Sequence, residues 1–510
     1  MWLTVKDLLY RNNRRYPDKL AVANGSVRYT FGEFTKRCNR LANMLRSRGL
    51  GKGDRVAFLD KTCPWYLEFY YGIISGGMVA VPINYRLSVR EILYILNDSK
   101  PEAIIVGKDY IELIDSIRPR LTSIKHFIAM DATEGYNGYH EGLDAASDKD
   151  LDDELVSEDL AAIWYTSGTT AMPKGAMLTH RNISANAVNL NLAISLTSDD
   201  VVYYPAALFH IIGSMAMGMM AMGCTMIFED FALSEVCETI EKEKPNIVVT
   251  AAGAFVMLVN SDTDFSRYNL GSVQKVLAGA GPMRKVTGEK LFVALPGLEK
   301  LYFSFALTEA SPFVTMGVAA TRDTLAEGGY SEDSGTENFC VITKIVDDSG
   351  KEVPVGELGE ITVRGPNVMS GYWNMPGETE KTIRDGWLYT GDVGYVDTNG
   401  RLFVVDRKKD MIISGGESIA SAEVENVLFE HPNIKEAVII GLPDEKWGER
   451  VHAVIVSDNS ISLEGLIGFC RGKLAGYKIP RSYNIVNDLP RSPSGKILKR
   501  KLRERYSVRG

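Results

Sequence analysis

The sequence predicts an α/β protein, mixed α/β and α+β in character. A large N-terminal domain of layered α/β subdomains plus a β-barrel-like region precedes a small, mobile α+β lid domain at the C-terminus. Three observations predict it. Apolar β-rich runs alternate with longer amphipathic segments over residues 50–280, the pattern of parallel βαβ units. From about 340 to 405 the texture changes to short strands and turns. After the charged run Asp406-Arg407-Lys408-Lys409-Asp410 the remaining residues read as a compact α+β pattern. A chain of 510 residues exceeds what one hydrophobic core supports, so more than one core is expected.

Taken in order, the predicted strands of the first part are RVAFLD, MVAVPIN, EAIIVG, AAIWYTS, TMIFED, NIVVTAA and KVLAGAG. Residues 201–228 carry no Asp, Glu, Lys or Arg and are long enough to cross a bilayer. Pro205, Gly213, Gly218 and Gly223 interrupt the stretch, so it reads as strand, loop, buried helix and strand. The next region has hairpins marked by Asp348-Ser349-Gly350 and Thr398-Asn399-Gly400. The last has strands near 411–414, 436–441 and 451–456. A boundary near 407 divides the chain into 1–406 and 407–510.

Apolar residues at 45% and charged residues at 24% match soluble globular chains, which excludes a disordered or collagenous protein. The net charge of −8 argues against a nucleic-acid-binding surface. Six cysteines without a C-x-x-C pair suggest neither a zinc site nor a disulfide framework, and point to a reducing, cytoplasmic location. Lys6, Asp7, Arg11, Arg14 and Arg15 stand where a secretion signal needs its apolar run, so none is expected. No transmembrane span is expected. Peripheral membrane contact is compatible with this reading, as is a monomer or a homodimer.

Residues 166–175, TSGTTAMPKG, follow the apolar strand AAIWY. Thr166, Ser167, Gly168, Thr169 and Thr170 crowd hydroxyls and backbone N–H groups at a strand end, and Lys174 adds a cation, the chemistry that cradles phosphate. The spacing is not that of the P-loop, because Gly175 and Ala176 follow the lysine. By composition alone an ordinary polar turn accounts for it equally well.

The rest of the chain adds AGAGPM at 278–283, FALTEA at 305–310, YTGDVGYVD at 389–397, DRKKDMIISGGESIASAEVE at 406–425 and PRSPSGKILKRKLRE at 490–504. In this order the segments resemble the signatures of the adenylate-forming (AMP-binding) superfamily, in its acyl-CoA synthetase branch, over nearly the whole length. The resemblance implies an acid-thiol ligase. ATP and a carboxylic acid give an acyl adenylate and pyrophosphate, and coenzyme A then gives acyl-CoA and AMP. It also implies Mg²⁺ as cofactor. The small-molecule acid is expected to be fatty or otherwise apolar, with an aromatic or alicyclic acid as the alternative. The alternative from another class is a non-catalytic nucleotide- or acyl-binding protein on the same fold.

The same resemblance assigns roles residue by residue. Lys496 is the lid lysine that reaches the carboxylate and the α-phosphate. Such a cation is needed, because two unit anions 4 Å apart repel by about 4 kcal/mol at an effective dielectric near 20. Glu309 is the metal ligand, with Thr308 beside it on phosphate. Ala280, Gly281, Pro282, Ser304 and Phe305 belong to the adenine side, Phe305 standing where tyrosine is usual. Asp392 and Arg407 hold the ribose. His210 lies near the acyl carboxylate on the thiol's path, with Ala306 beside the acyl channel. Gly415 and Gly416 line the thiol tunnel, and Lys409 is the hinge. Ala171, Ala306 and Ser418-Ile419-Ala420-Ser421 depart from the usual pattern. The methionines 215, 217, 219, 220, 222 and 226 read either as buried helix core or as a flexible acyl lining.

Overall fold

The computed structural model describes residues 2–507, apart from 132, 152–153, 167–171, 280–282, 416, 458–460 and 492–496. Among the described residues there are sixteen α-helices and four sheets. The chain divides into two compact units. The first comprises Met1–Thr343, Val363–Leu388 and Gly400–Leu402, and the second comprises Lys344–Thr362, Tyr389–Asn399 and Phe403–Gly510.

Two large sheets organise the first unit, and the apolar runs of the sequence supply their strands. In the nine-stranded sheet Lys300–Phe303, Lys275–Gly279, Ile247–Ala251, Val201–Pro205, Thr225–Glu229 and Leu20–Asn24 lie side by side and parallel. Helices cover such strands on both faces, which is why they read as continuous apolar runs without alternation. In the eight-stranded sheet Leu160–Thr166, Val79–Pro82, Arg55–Leu59, Ala103–Val106 and His126–Ala129 are likewise parallel. Antiparallel strands close the sides that parallel crossovers leave open. Thr315–Thr321 pairs with Lys300–Phe303, Val27–Thr30 with Leu20–Asn24, and Lys174–Thr179 with Leu160–Thr166.

The charge-free stretch resolves as expected into the strand Val201–Pro205, the helix Ile212–Met220 and the strand Thr225–Glu229. No helix among the described residues is long and apolar enough to cross a membrane. Met215, Met217, Met219 and Met220 are at most 5% exposed, and Met226 is fully buried. A Cβ added at Gly218 would stand 3.3 Å from the Cα of Ala187, so this glycine lets the helix approach its neighbour His180–Ile194 closely. These methionines therefore fill core space between packed helices.

In the second unit the C-terminal sheet runs in the order Glu417–Ile419, Ile412–Ser414, Gly448–Val456, Glu436–Asp444, with Ser482–Val486 also on Gly448–Val456. Its side chains alternate. Ala437, Ile439, Ala453 and Ile455 pack with Val424 and Leu428 of the helix Ser421–Phe429 and with Leu466. Val438, Ile440 and Val454 face the other way, against Leu502 and Tyr506 of the helix Lys499–Ser507. The period of two in the sequence thus splits one small sheet between two apolar layers.

Candidate active site

In the first unit a hairpin carries the predicted phosphate cation. Thr166 pairs with Lys174 at the ends of the antiparallel strands Leu160–Thr166 and Lys174–Thr179. Ser167, Gly168, Thr169, Thr170 and Ala171 lie outside the described residues. The ammonium of Lys174 is 2.6 Å from the Glu378 carboxylate and sits over the Tyr372 ring, 5.1 Å from its centroid. Glu378 also receives Lys381 at 2.9 Å. Hydrogen bonds from Lys174 and then Lys381 pull its pKa down to about 2, so it is a carboxylate at any working pH.

The predicted metal ligand sits on a turn next to this cation. After the strand Lys300–Phe303 the chain makes a single 3₁₀ turn, Thr308–Ala310. The Tyr372 hydroxyl donates to Glu309 Oε1 at 2.8 Å, and the Met369 N–H donates to the Glu309 carbonyl at 2.9 Å. Asn367 Nδ2 donates to the carbonyls of Ala310 and Phe313 at 2.9 and 3.1 Å, holding the last residue of the turn and the chain that leaves it. Burial, and then the charge of Glu309, raise the Tyr372 pKa, so the phenol stays protonated and remains a donor. The short strand Gly371–Tyr372 pairs with Lys174–Thr179, placing Tyr372 opposite Ala176. The segment 367–373 therefore contacts both the lysine strand and the glutamate turn.

Ser304 Oγ is buried without a hydrogen-bond partner among the described residues, an orphan suited to a ligand's polar group. Phe305 is 8% exposed, its N–H donating to Thr315 Oγ1, and Ala306 is exposed. Ala280, Gly281 and Pro282, after the strand Lys275–Gly279, lie outside the described residues. Thr308 and Glu309 are half-buried and offer a hydroxyl and a carboxylate, hard oxygen donors that fit Mg²⁺. Tyr372 occupies one side of the carboxylate and leaves further lone pairs for a cation.

His210 belongs to another cluster of the same unit. Its ring lies 4.2 Å from that of Phe209, which meets Tyr85 edge-on at 5.1 Å, and Arg86 sits over both Tyr85 and Phe209. Desolvation, and then the Arg86 cation, push the His210 pKa down to about 4, so at neutral pH the imidazole is uncharged. The turn is held by Tyr70, whose hydroxyl donates to the Leu208 carbonyl at 2.8 Å.

In the second unit Arg407 Nε is 2.6 Å from Asp392 Oδ1, and Asp392 is 5% exposed. Lys409 lies in the turn Lys408–Asp410, flanked by the Lys408 ion pairs with Asp348 and Glu360 and by Arg503 on Asp410 at 2.9 Å. Gly415 has φ +63°, and an added Cβ would stand 2.8 Å from the Trp447 ring, so glycine is required there. Gly416 and Lys496 lie outside the described residues.

The structure thus joins Lys174, Thr308 and Glu309 into one group and pairs Asp392 with Arg407. Sequence reasoning missed Tyr372, Glu378 and Asn367. A Gly-Tyr pair and a glutamate in the first turn after Pro376 are ordinary strand and helix chemistry, and nothing in their spacing singles them out.

The chain matches the family model of the AMP-binding enzyme over residues 9–373 and that of the AMP-binding enzyme C-terminal domain over 423–496. It is 36% identical to a feruloyl-CoA synthase of Amycolatopsis sp., covering 97% of this chain and 98% of the other. It is 33% identical to the long-chain-fatty-acid–CoA ligase FadD13 of Mycobacterium tuberculosis, covering 94% of each. Among solved structures it is similar to an anthranilate CoA ligase in complex with anthranoyl-AMP, with TM-score 0.89, 26% identity and 99% and 98% of the two chains covered. It is also similar to the O-succinylbenzoate coenzyme A synthetase of Bacillus subtilis in complex with ATP and magnesium ion, with TM-score 0.84, 29% identity and 97% and 98% covered. With both family models matched in chain order, this chain belongs to the AMP-binding enzyme family.

Proposed function

We propose that the protein is an AMP-forming carboxylate–CoA ligase acting on an apolar or aromatic acid. ATP and the acid give an acyl adenylate and pyrophosphate, and the thiol of coenzyme A then displaces AMP. The observation that carries this reading is one tyrosine seating a cation, Lys174, and a carboxylate, Glu309, in a family whose CoA-ligase relatives match nearly the whole chain.

A carboxylate attacks the α-phosphorus only when the repulsion between the two anions is offset. Lys174 supplies positive charge at the phosphates. Mg²⁺ held by Glu309 with Thr308 would neutralise phosphate charge when bound. Lys496 is assigned to the carboxylate and α-phosphate during adenylation, and Asp392 with Arg407 to the ribose. Ser304 and Phe305 are assigned to the adenine, together with Ala280, Gly281 and Pro282. His210, neutral at working pH, serves as a hydrogen-bonding wall beside the acyl carboxylate, with Ala306 at the channel. Residues 407–510 act as a lid hinged at Lys409, which withdraws Lys496 and brings Gly415 and Gly416 toward the thiol. A cytoplasmic home and a monomer or homodimer complete the reading.

The test is pyrophosphate and AMP release with ATP and Mg²⁺ across aliphatic, aromatic and alicyclic acids, with and without coenzyme A. Turnover requiring one class of acid and coenzyme A is expected. ATP binding without acid-dependent pyrophosphate would instead identify a nucleotide-binding protein. A Lys496→Ala variant should lose pyrophosphate release by several orders of magnitude at unchanged melting temperature. Near-normal release would remove that lysine from the chemistry.

A further inference from the structure

Two groups that handle opposite charges converge on one side chain. Tyr372 is 8% exposed. Its hydroxyl holds Glu309 Oε1 at 2.8 Å, and its ring face lies under the Lys174 ammonium, 5.1 Å from the centroid. Its backbone is fixed in the sheet opposite Ala176, two residues from Lys174 on the same strand, and Trp373 adds a bond to the Gly175 carbonyl at 2.7 Å. The Tyr372 N–H donates to Thr379 Oγ1 at 2.9 Å, so the residue is also tied to the helix that carries Glu378.

From this geometry we infer that Tyr372 is a positioning residue that couples the metal-binding carboxylate to the phosphate-binding lysine. Its hydroxyl sets the rotation of Glu309 and its ring seats Lys174. The inference rests on the ATP-dependent reading above. The two contacts use different parts of the side chain, so they can be separated. A hydroxyl fixes one carboxylate oxygen and directs the remaining lone pairs toward a hard cation. An aromatic face attracts an ammonium through its quadrupole and holds it without neutralising it, leaving the N–H donors for phosphate.

Tyr372→Phe removes only the hydroxyl, and Tyr372→Leu removes the face as well. Calorimetric titration of the full-length protein with ATP, once with Mg²⁺ and once in EDTA, reads the two contacts apart. Tyr372→Phe should weaken Mg²⁺-dependent ATP binding by roughly fivefold to tenfold, within the net worth of one ordinary hydrogen bond, and leave the EDTA titration within about twofold of wild type. Tyr372→Leu should weaken both. The Mg²⁺ concentration for half-maximal pyrophosphate release should rise in Tyr372→Phe by the same factor as the binding constant. A merely structural tyrosine would lower the melting temperature and weaken both titrations equally, and that result overturns the coupling. A Tyr372→Phe variant equal to wild type in both titrations also overturns it. If wild type binds ATP but releases no pyrophosphate with any acid, the ligase reading fails while the split between titrations still decides the coupling. A wild type that does not bind ATP sinks both.

Discussion

Glu378 is the residue whose consequence is easiest to isolate. Its carboxylate, held charged by a pKa near 2, sits 2.6 Å from the ammonium that the functional reading assigns to phosphate. The pair is only half withdrawn from water, with side chains 37% and 16% exposed, so its net value is at most about 1 kcal/mol and a polyphosphate can displace it. A negative charge beside Lys174 nevertheless opposes an anionic ligand there. Glu378→Gln keeps the shape and removes the charge. The KM for ATP should fall roughly twofold to fivefold, and the difference should shrink as ionic strength rises. An unchanged or higher KM would mean that Glu378 aims Lys174 and does not compete with phosphate. Family resemblance made Lys174, Thr308 and Glu309 legible in the sequence. Glu378 and Tyr372 were illegible because their importance lies in what they touch across 204 and 63 residues of chain, which no local spacing records.

At the scale of elements, the periodic signals translated directly. Runs such as NIVVTAA and KVLAGAG became neighbouring parallel strands, and the interrupted charge-free stretch became strand, helix and strand. The antiparallel return of Lys174–Thr179 was not legible, because Lys-Gly-Ala-Met-Leu-Thr carries no β-branched apolar residue and begins with a lysine and a glycine, so it lacks the strand signal of its neighbours. The turn bearing His210 shows how tightly such elements join. A Cβ at Gly213 would stand 2.6 Å from the Leu208 carbonyl oxygen and 2.7 Å from the Tyr70 ring, which itself anchors Leu208. Gly213→Ala must therefore push the His210 turn off its support, at about 1–3 kcal/mol by the usual cost of overpacking. Thermal unfolding should show the loss. The KM for the acid should rise with the KM for ATP unchanged, since Lys174 and Glu309 lie on other elements. A stable variant with normal acid KM would show that the turn adapts and that His210 is not held for the acid.

For the molecule as a whole, the N-terminal helix Val5–Arg15 is bound into the first unit through polar contacts distant in sequence. Arg11 and Asn12 donate to the carbonyls of Ala221 and Met220, and Ser184 Oγ donates to the Leu3 carbonyl. The Val5 N–H donates to Nδ1 of His180, which is 1% exposed. That bond requires an imidazole unprotonated at Nδ1, and His180 also opens a helix, where the backbone N–H groups disfavour a cation. Burial accordingly pushes the His180 pKa down to about 4 from its ordinary value near 6.5, against the partial counter-pull of Asp159 and Asp7. Between those values the unfolded chain binds more protons at this site than the folded one. Stability from His180 is thus complete above about pH 6.5 and is lost as pH falls toward 4, by up to about 3 kcal/mol. His210 and His452, also pushed down to about 4, and His140, lowered by burial, titrate in the same window, so a wild-type curve cannot assign the loss. His180→Asn presents an uncharged oxygen acceptor near Nδ1 and does not titrate. Its unfolding free energy, followed from pH 7 to 4.5, should start below wild type and fall less steeply, so that the two curves converge. The protection factor of the Val5 amide, its exchange corrected for the intrinsic pH dependence, should fall with acid in wild type and stay flat in the variant. Parallel stability curves would remove His180 as the acid-sensitive tie and leave His140, His210 and His452 to account for the loss.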